Sequence, residues 1–104
     1  MKFPKYSILY FIHPLTQHQK ELGQFLEEGK KVFWFGTESD VTYLKKAYKP
    51  FSDAFFLQAF IIPEIDEAES FTPFTVIDGE GLNREYAQLF DWLEKAIPSF
   101  NTAQ

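Results

Sequence analysis

The sequence predicts a single α/β domain with a mixed central sheet and helices on both of its faces. Three observations predict it. Apolar runs rich in β-formers alternate with stretches of helical period, Pro and Gly stand at the changeovers, and 104 residues is the length of one domain. The order reads β-α-β-α-β-β-α. Strands separated by helices favour parallel pairing through right-handed crossovers, which lay helices over the sheet.

Residues 6–12, Tyr-Ser-Ile-Leu-Tyr-Phe-Ile, predict a buried strand that Pro14 ends. Thr16 is placed to cap the first helix, with Leu15, His18, Leu22, Phe25 and Leu26 on one face and Gly29 closing it. Residues 31–35, Lys-Val-Phe-Trp-Phe, form a second continuous apolar run, as in a central strand buried on both faces. Glu38, Ser39 and Asp40 supply capping side chains for a second helix. Its apolar stripe is Val41, Leu44, Tyr48 and Phe51, and Pro50 limits its end. Residues 54–62 predict a third strand that Pro63 stops, and residues 64–70 an acidic connection or short helical turn. Residues 73–77 predict a fourth strand, and the Asp-Gly-Glu-Gly run at 78–81 a turn. Tyr86, Leu89, Phe90, Leu93 and Ile97 mark the last helix; Pro98 ends it, and residues 99–104 read as a frayed tail. There is no repeat, linker or low-complexity segment, so residues 1–104 read as one domain.

The composition narrows the function classes. A hydrophobic share of 45% with 24% charged residues excludes intrinsic disorder for the body of the chain. Thirteen Phe, five Tyr and two Trp give more rings than a small core needs, and an exposed aromatic patch would mark a partner site. A net charge of −5 argues against nucleic acid, since phosphate contacts need clustered cations, and the pairs Lys30-Lys31 and Lys45-Lys46 read as solvated element ends. No run is long enough to span a membrane, and residues 7–12 are too short for a signal core. A cytoplasmic location is expected, with export the alternative if a leader has been removed.

No catalytic constellation stands out. The absence of cysteine removes thiolate nucleophiles, disulfides and Cys-ligated zinc. His13 and His18 are separated by Pro14 and lack a third ligand, so no metal is expected. Glu64, Asp66, Glu67 and Glu69 lack the spacing and glycine of a calcium loop, and Asp78 and Glu80 are explained by turn geometry. No glycine-rich phosphate loop or nucleophile elbow occurs, so no cofactor is expected, and whether the chain is an enzyme stays open, with a non-enzymatic role the leading reading.

Three features together carry a family resemblance. Thr16-Gln17-His18-Gln19 sits at a strand–helix junction, Thr72-Pro73 opens a late strand, and Val-Ile-Asp-Gly-Glu-Gly at 76–81 precedes the C-terminal helix. The chain resembles the thioredoxin-like superfamily, of thiol-reductase or redoxin type. The resemblance implies that Thr16 and Gln19 stand where the nucleophilic and resolving cysteines would be, and neither performs thiol exchange. It also implies that His18 lies where such families tune a thiolate. Pro73 would inherit the role of a usually cis proline that exposes the backbone of Thr72 for strand-like pairing with a peptide. The chain departs from the family pattern in two places. Only residues 82–86 are left for a strand after the Asp-Gly turn, and residues 51–71 fit an inserted strand.

The functional expectation is a redox-inactive thioredoxin-like domain acting as a protein-binding or structural module. Its groove would be lined by Thr16, Gln17, His18, Gln19, Thr72 and Pro73, and its partner a protein or peptide. Two alternatives stand beside it: an acidic interaction protein of immunity or inhibitor type on another α/β fold, steered to a basic partner, and a cysteine-free transferase-like enzyme using Thr16 or His18.

Overall fold

A computed structural model of the chain describes residues 3, 6–11, 15–62, 74–75, 84 and 87–97. Its elements are β1 (Ser7–Phe11), α1 (Leu15–Glu27), β2 (Lys31–Gly36), α2 (Glu38–Ala47), α3 (Lys49–Asp53), β3 (Leu57–Ile61), β4 (Phe74–Thr75) and α4 (Ala87–Ala96). The sheet order is β3-β2-β1-β4. β1, β2 and β3 run parallel, and β4 pairs antiparallel to β1 through Ile8↔Thr75 and Leu9↔Phe74. The architecture is therefore mixed α/β, with a three-stranded parallel core.

Apolar residues fill both faces of the inner strands, because a sheet covered on both sides has no solvent face to supply with polar side chains. All five residues of β1 are buried, and so is β2 from Val32 onward. Alternation then sorts them. Leu9, Phe11, Phe33, Phe35 and Phe60 point to one side, where Phe3, Leu93 and Ile97 cover them. Ile8, Tyr10, Val32, Trp34, Leu57 and Ala59 point to the other, under Leu15, Leu22 and Leu26 of α1 and Val41 and Leu44 of α2. The helices thus lie on both faces: α1 and α2 on one, α4 on the other. Each large side chain so buried contributes roughly 1.5–3 kcal/mol.

On the α4 face, register converts sequence into a ladder. Phe11, Phe35 and Phe60 are lateral neighbours in three adjacent strands. Their rings stack at 4.8 and 5.3 Å between centroids, with interplanar angles of 11° and 15°. Phe3 meets Phe33 edge-on at 5.0 Å. On the opposite face Trp34 is fully buried, 5.1 Å from the Tyr10 ring. A Cβ at Gly36, two residues on and on the same face, would lie 2.7 Å from Trp34 Nε1. Glycine is needed at position 36 because the indole occupies the space of a side chain.

Two helices end in the same hydrogen-bond pattern. At α1, the Gly29 N–H donates to the Leu26 carbonyl and the Lys30 N–H to that of Phe25, both at 3.0 Å, with Gly29 at φ 80°. At α3, the Phe55 N–H donates to the Ser52 carbonyl at 3.1 Å and the Phe56 N–H to that of Phe51 at 2.9 Å, with Phe55 at φ 62°. Both are Schellman motifs, whose left-handed position glycine occupies without a Cβ penalty. The first follows that rule and the second does not.

Several expectations need correction. Thr16 is not a cap: α1 begins at Leu15, and Thr16 lies exposed in the first turn. The cap of α2 is Thr37, whose Oγ1 accepts from the Asp40 N–H at 3.3 Å, rather than Glu38, Ser39 or Asp40. Pro50 starts an element as well as ending one, because the first turn of a helix has no use for its missing N–H; it opens α3. Phe51 therefore belongs to α3, although it still packs on the α1–α2 side of the sheet. The third strand begins at Leu57, since residues 54–56 are spent on the α3 cap. Of the fourth strand, Phe74 and Thr75 are described. The acidic connection at 64–70, the turn at 78–81 and the tail at 99–104 lie outside the described residues. Among the described residues, no helix is long and apolar enough to cross a membrane.

The Gly36–Trp34 contact generates a prediction. Trp34 is walled in and has nowhere to move, so Gly36→Ala should cost about 1–3 kcal/mol by overpacking. A fall in the urea midpoint with an unchanged slope is the expected reading, and an unchanged midpoint would mean that the indole yields.

Candidate functional site: a groove between the first two helices

α1 and α2 follow β1 and β2 in the chain and pack on the same sheet face. Their apolar stripes point to the sheet, which leaves polar residues where the two helices face each other at the surface. The Gln19 side-chain amide donates to the Tyr43 hydroxyl at 2.9 Å and bridges the two helices. Lower down, the Tyr48 hydroxyl stands 3.5 Å from the Gln19 carbonyl oxygen. Gly23 lies beside that ring, and a Cβ there would meet the Tyr48 hydroxyl at 3.7 Å, an ordinary contact that alanine would also make.

Two clefts open along this seam. One, of about 490 Å³, is lined by Leu15, Thr16, Gln19, Asp40 and Tyr43. The other, of about 800 Å³, is lined by Thr16, Gln19, Lys20, Gly23, Gln24, Glu27 and Tyr48. Thr16 and Gln19 belong to both, so they stand on the divide between them. A spacing of three residues puts them on one helix face.

The sequence-predicted residues separate here. Thr16 and Gln19 line the groove. Gln17 is exposed and lines neither cleft. His18 turns toward the sheet, where its ring packs at 5.3 Å on Tyr10 and its Nδ1 lies 3.9 Å from the Glu21 carboxylate. Thr16 and His18 therefore point to different sides of α1, and the imidazole is not offered to the Thr16 hydroxyl as a base. Thr72 and Pro73 lie outside the described residues, as does His13.

The sequence assigns no role to Tyr43 or Gly23, and it offers Asp40 only as a helix cap and Tyr48 only as part of the apolar stripe. The available signal was Tyr43, an aromatic on the polar side of α2 and 46% exposed. Tyr48 is half-buried and presents its hydroxyl to α1.

Beneath α1, burial pushes the Tyr10 phenol up to about 12, and the Glu21 carboxylate adds to the rise. A phenolate there would be poorly solvated and repelled by that carboxylate, so the neutral form is favoured.

No family model matches the chain, and no curated protein or solved structure matches it at a significant level. The functional reading rests on the geometry of this groove.

The Tyr10 environment makes a pH prediction. Its folded pKa lies above the ordinary value of 10.0, so the associated stability is fully present below pH 10.0 and is lost as pH rises toward about 12. Titration followed by tyrosinate absorbance should show one of the five tyrosines ionising last. Tyr10→Phe should remove that step. A late step that survives the substitution would place the perturbed phenol elsewhere.

Proposed function

We propose that this chain is a redox-inactive thioredoxin-like domain acting as a protein-binding module, with the α1–α2 groove as its binding surface. One observation carries the reading. Thr16 and Gln19, where the resemblance would put a thiol pair, share one helix face and open onto a surface groove in a chain without cysteine. What remains at such a junction is recognition without thiol exchange.

Two further features support it. The element order carries a parallel β1–β2 pair with α1 between, and an antiparallel β4 on the other side of β1. Because β4 is antiparallel, its first residue, Phe74, lies toward the end of β1 from which the chain proceeds to α1. Thr72 and Pro73 immediately precede Phe74 in the sequence. The chemistry of the groove suits a peptide. Side-chain amides and hydroxyls from Gln19, Gln24, Thr16 and Tyr43 offer donors and acceptors to a backbone, and tyrosine rings give contact area at low entropic cost. Asp40 and Glu27 favour a partner with basic residues, and Lys20 tempers that preference.

Affinity capture tests the function, with Thr16→Arg and Tyr43→Ala compared with the unmodified chain. Both positions are exposed, so the fold should tolerate the changes. Partners held by the unmodified chain should be retained at least roughly tenfold less by each variant, a loss of about 1.4 kcal/mol. Retention of every partner would remove the groove as the binding surface. Restoring the thiols tests the resemblance separately. Thr16→Cys with Gln19→Cys should close a disulfide under mild oxidant and gain insulin reduction. A pair that stays reduced would mean that the two positions are not set for exchange.

A further inference from the structure

The smaller of the two clefts between α1 and α2, about 490 Å³, is walled by two pairs of residues one helical turn apart. Thr16 and Gln19 come from α1, Asp40 and Tyr43 from α2, and the buried Leu15 adds apolar surface. The polar groups are rich in acceptors. An Asp40 carboxylate only accepts, and the Thr16 and Tyr43 hydroxyls can accept as well as donate. Gln19 already gives an amide N–H to the Tyr43 hydroxyl at 2.9 Å, which leaves its Oε1 as an acceptor.

Among the described residues that line this cleft, Asp40 alone carries a charge. It is part-buried, and among the described residues no cation stands within ion-pairing distance of its carboxylate. Lys20 lines the larger cleft and not this one. The cap of α2 uses the backbone of Asp40, whose N–H donates to Thr37 Oγ1, and leaves the carboxylate uncommitted. Glu38 stands in the same first turn, so two carboxylates outweigh the roughly half a positive charge at the start of α2. A part-buried carboxylate without a counter-charge is unfavourable, and a cation from outside would relieve it.

We infer that this cleft is a pocket for an arginine side chain of the partner. That pocket presupposes the groove as a recognition surface, as proposed above, and specifies the group it takes. A guanidinium has five N–H donors and no acceptor, which complements a wall of acceptors. A carboxylate meets it through two parallel N–H···O bonds. Its flat face suits the Tyr43 ring, 46% exposed, and its methylenes suit Leu15. A lysine ammonium lacks the fork and is more strongly hydrated, so it fits less well. The larger cleft holds both Lys20 and Glu27, so its charges do not select one sign.

Amide NMR titration of the chain with N-acetyl-arginine amide tests the pocket, with the lysine and citrulline analogues beside it. Citrulline has the shape of arginine without its charge. The arginine amide should shift the signals of Thr16, Gln19, Asp40 and Tyr43, with Kd on the order of 1 mM, as for a ligand of this size. The lysine analogue should bind at least roughly threefold more weakly and the citrulline analogue at least roughly tenfold. Asp40→Asn, which keeps the backbone cap, should also weaken the arginine amide at least roughly tenfold. Should Asp40→Asn fail to fold, the comparison of arginine with citrulline decides, since it needs no substitution. No shift at about fifty times the expected Kd, equal binding of the citrulline analogue, or binding indifferent to Asp40→Asn overturns the pocket. Partners lost on Thr16→Arg but fully retained by Asp40→Asn would overturn it too, and would leave the groove as the binding surface. Arginine-amide binding that depends on Asp40 supports the pocket even where Thr16→Arg retains every partner, a result that removes only the wider protein-binding surface.

Discussion

β2 lies between two other strands and beneath helices on both faces, and that double burial dictates most of what surrounds it. A strand in this position has no solvent-facing residue, so it must be apolar throughout. The sequence meets this with Val32, Phe33, Trp34 and Phe35, all at most 1% exposed. Consecutive rings on opposite faces create two unlike cores. One is built from phenylalanines and stacked through Phe11, Phe35 and Phe60. The other is largely aliphatic around the paired rings of Trp34 and Tyr10. Gly36 follows from the second core, because the Trp34 ring fills the volume in which a side chain would sit.

The same constraint shapes the groove. Leu22, Leu26, Val41 and Leu44 are drawn down onto the sheet. The helix faces turned away from it meet through groups that water would otherwise satisfy, Gln19 with Tyr43 foremost. A seam of this kind contributes little to stability, since exposed neutral hydrogen bonds are worth about 1 kcal/mol or less. It can be broken and remade against a partner at low cost. On the proposed reading, recognition and stability are thereby separated: aromatic burial holds the sheet together, while the outer sides of α1 and α2 carry the contacts that a partner would replace.

The parts legible in the sequence are those governed by local pattern. β1 and β2 are continuous apolar runs, and their near-total burial follows from their composition. The α1 stripe is correct at Leu15, Leu22 and Leu26, and Gly29 marks its end as expected. What was missed depended on geometry between elements or on cues that read two ways. Pro50 signals a stop, yet it equally suits a first helical turn, so α3 was absorbed into α2 and the start of β3 was placed too early. Phe55 gives no sign of a left-handed conformation, because β-formers at that point suggest a strand. Half of the candidate site was visible, since Thr16 and Gln19 are one helical turn apart. The other half, Tyr43 and Tyr48, enters only when α2 is laid beside α1, which no periodicity within α2 reveals.

Native-state hydrogen exchange tests the central claim, that β2 is the doubly covered axis of the sheet. The amides of Val32 to Phe35 should be the slowest to exchange, opening only with global unfolding. Exchange of the β2 amides well before global unfolding would contradict the account.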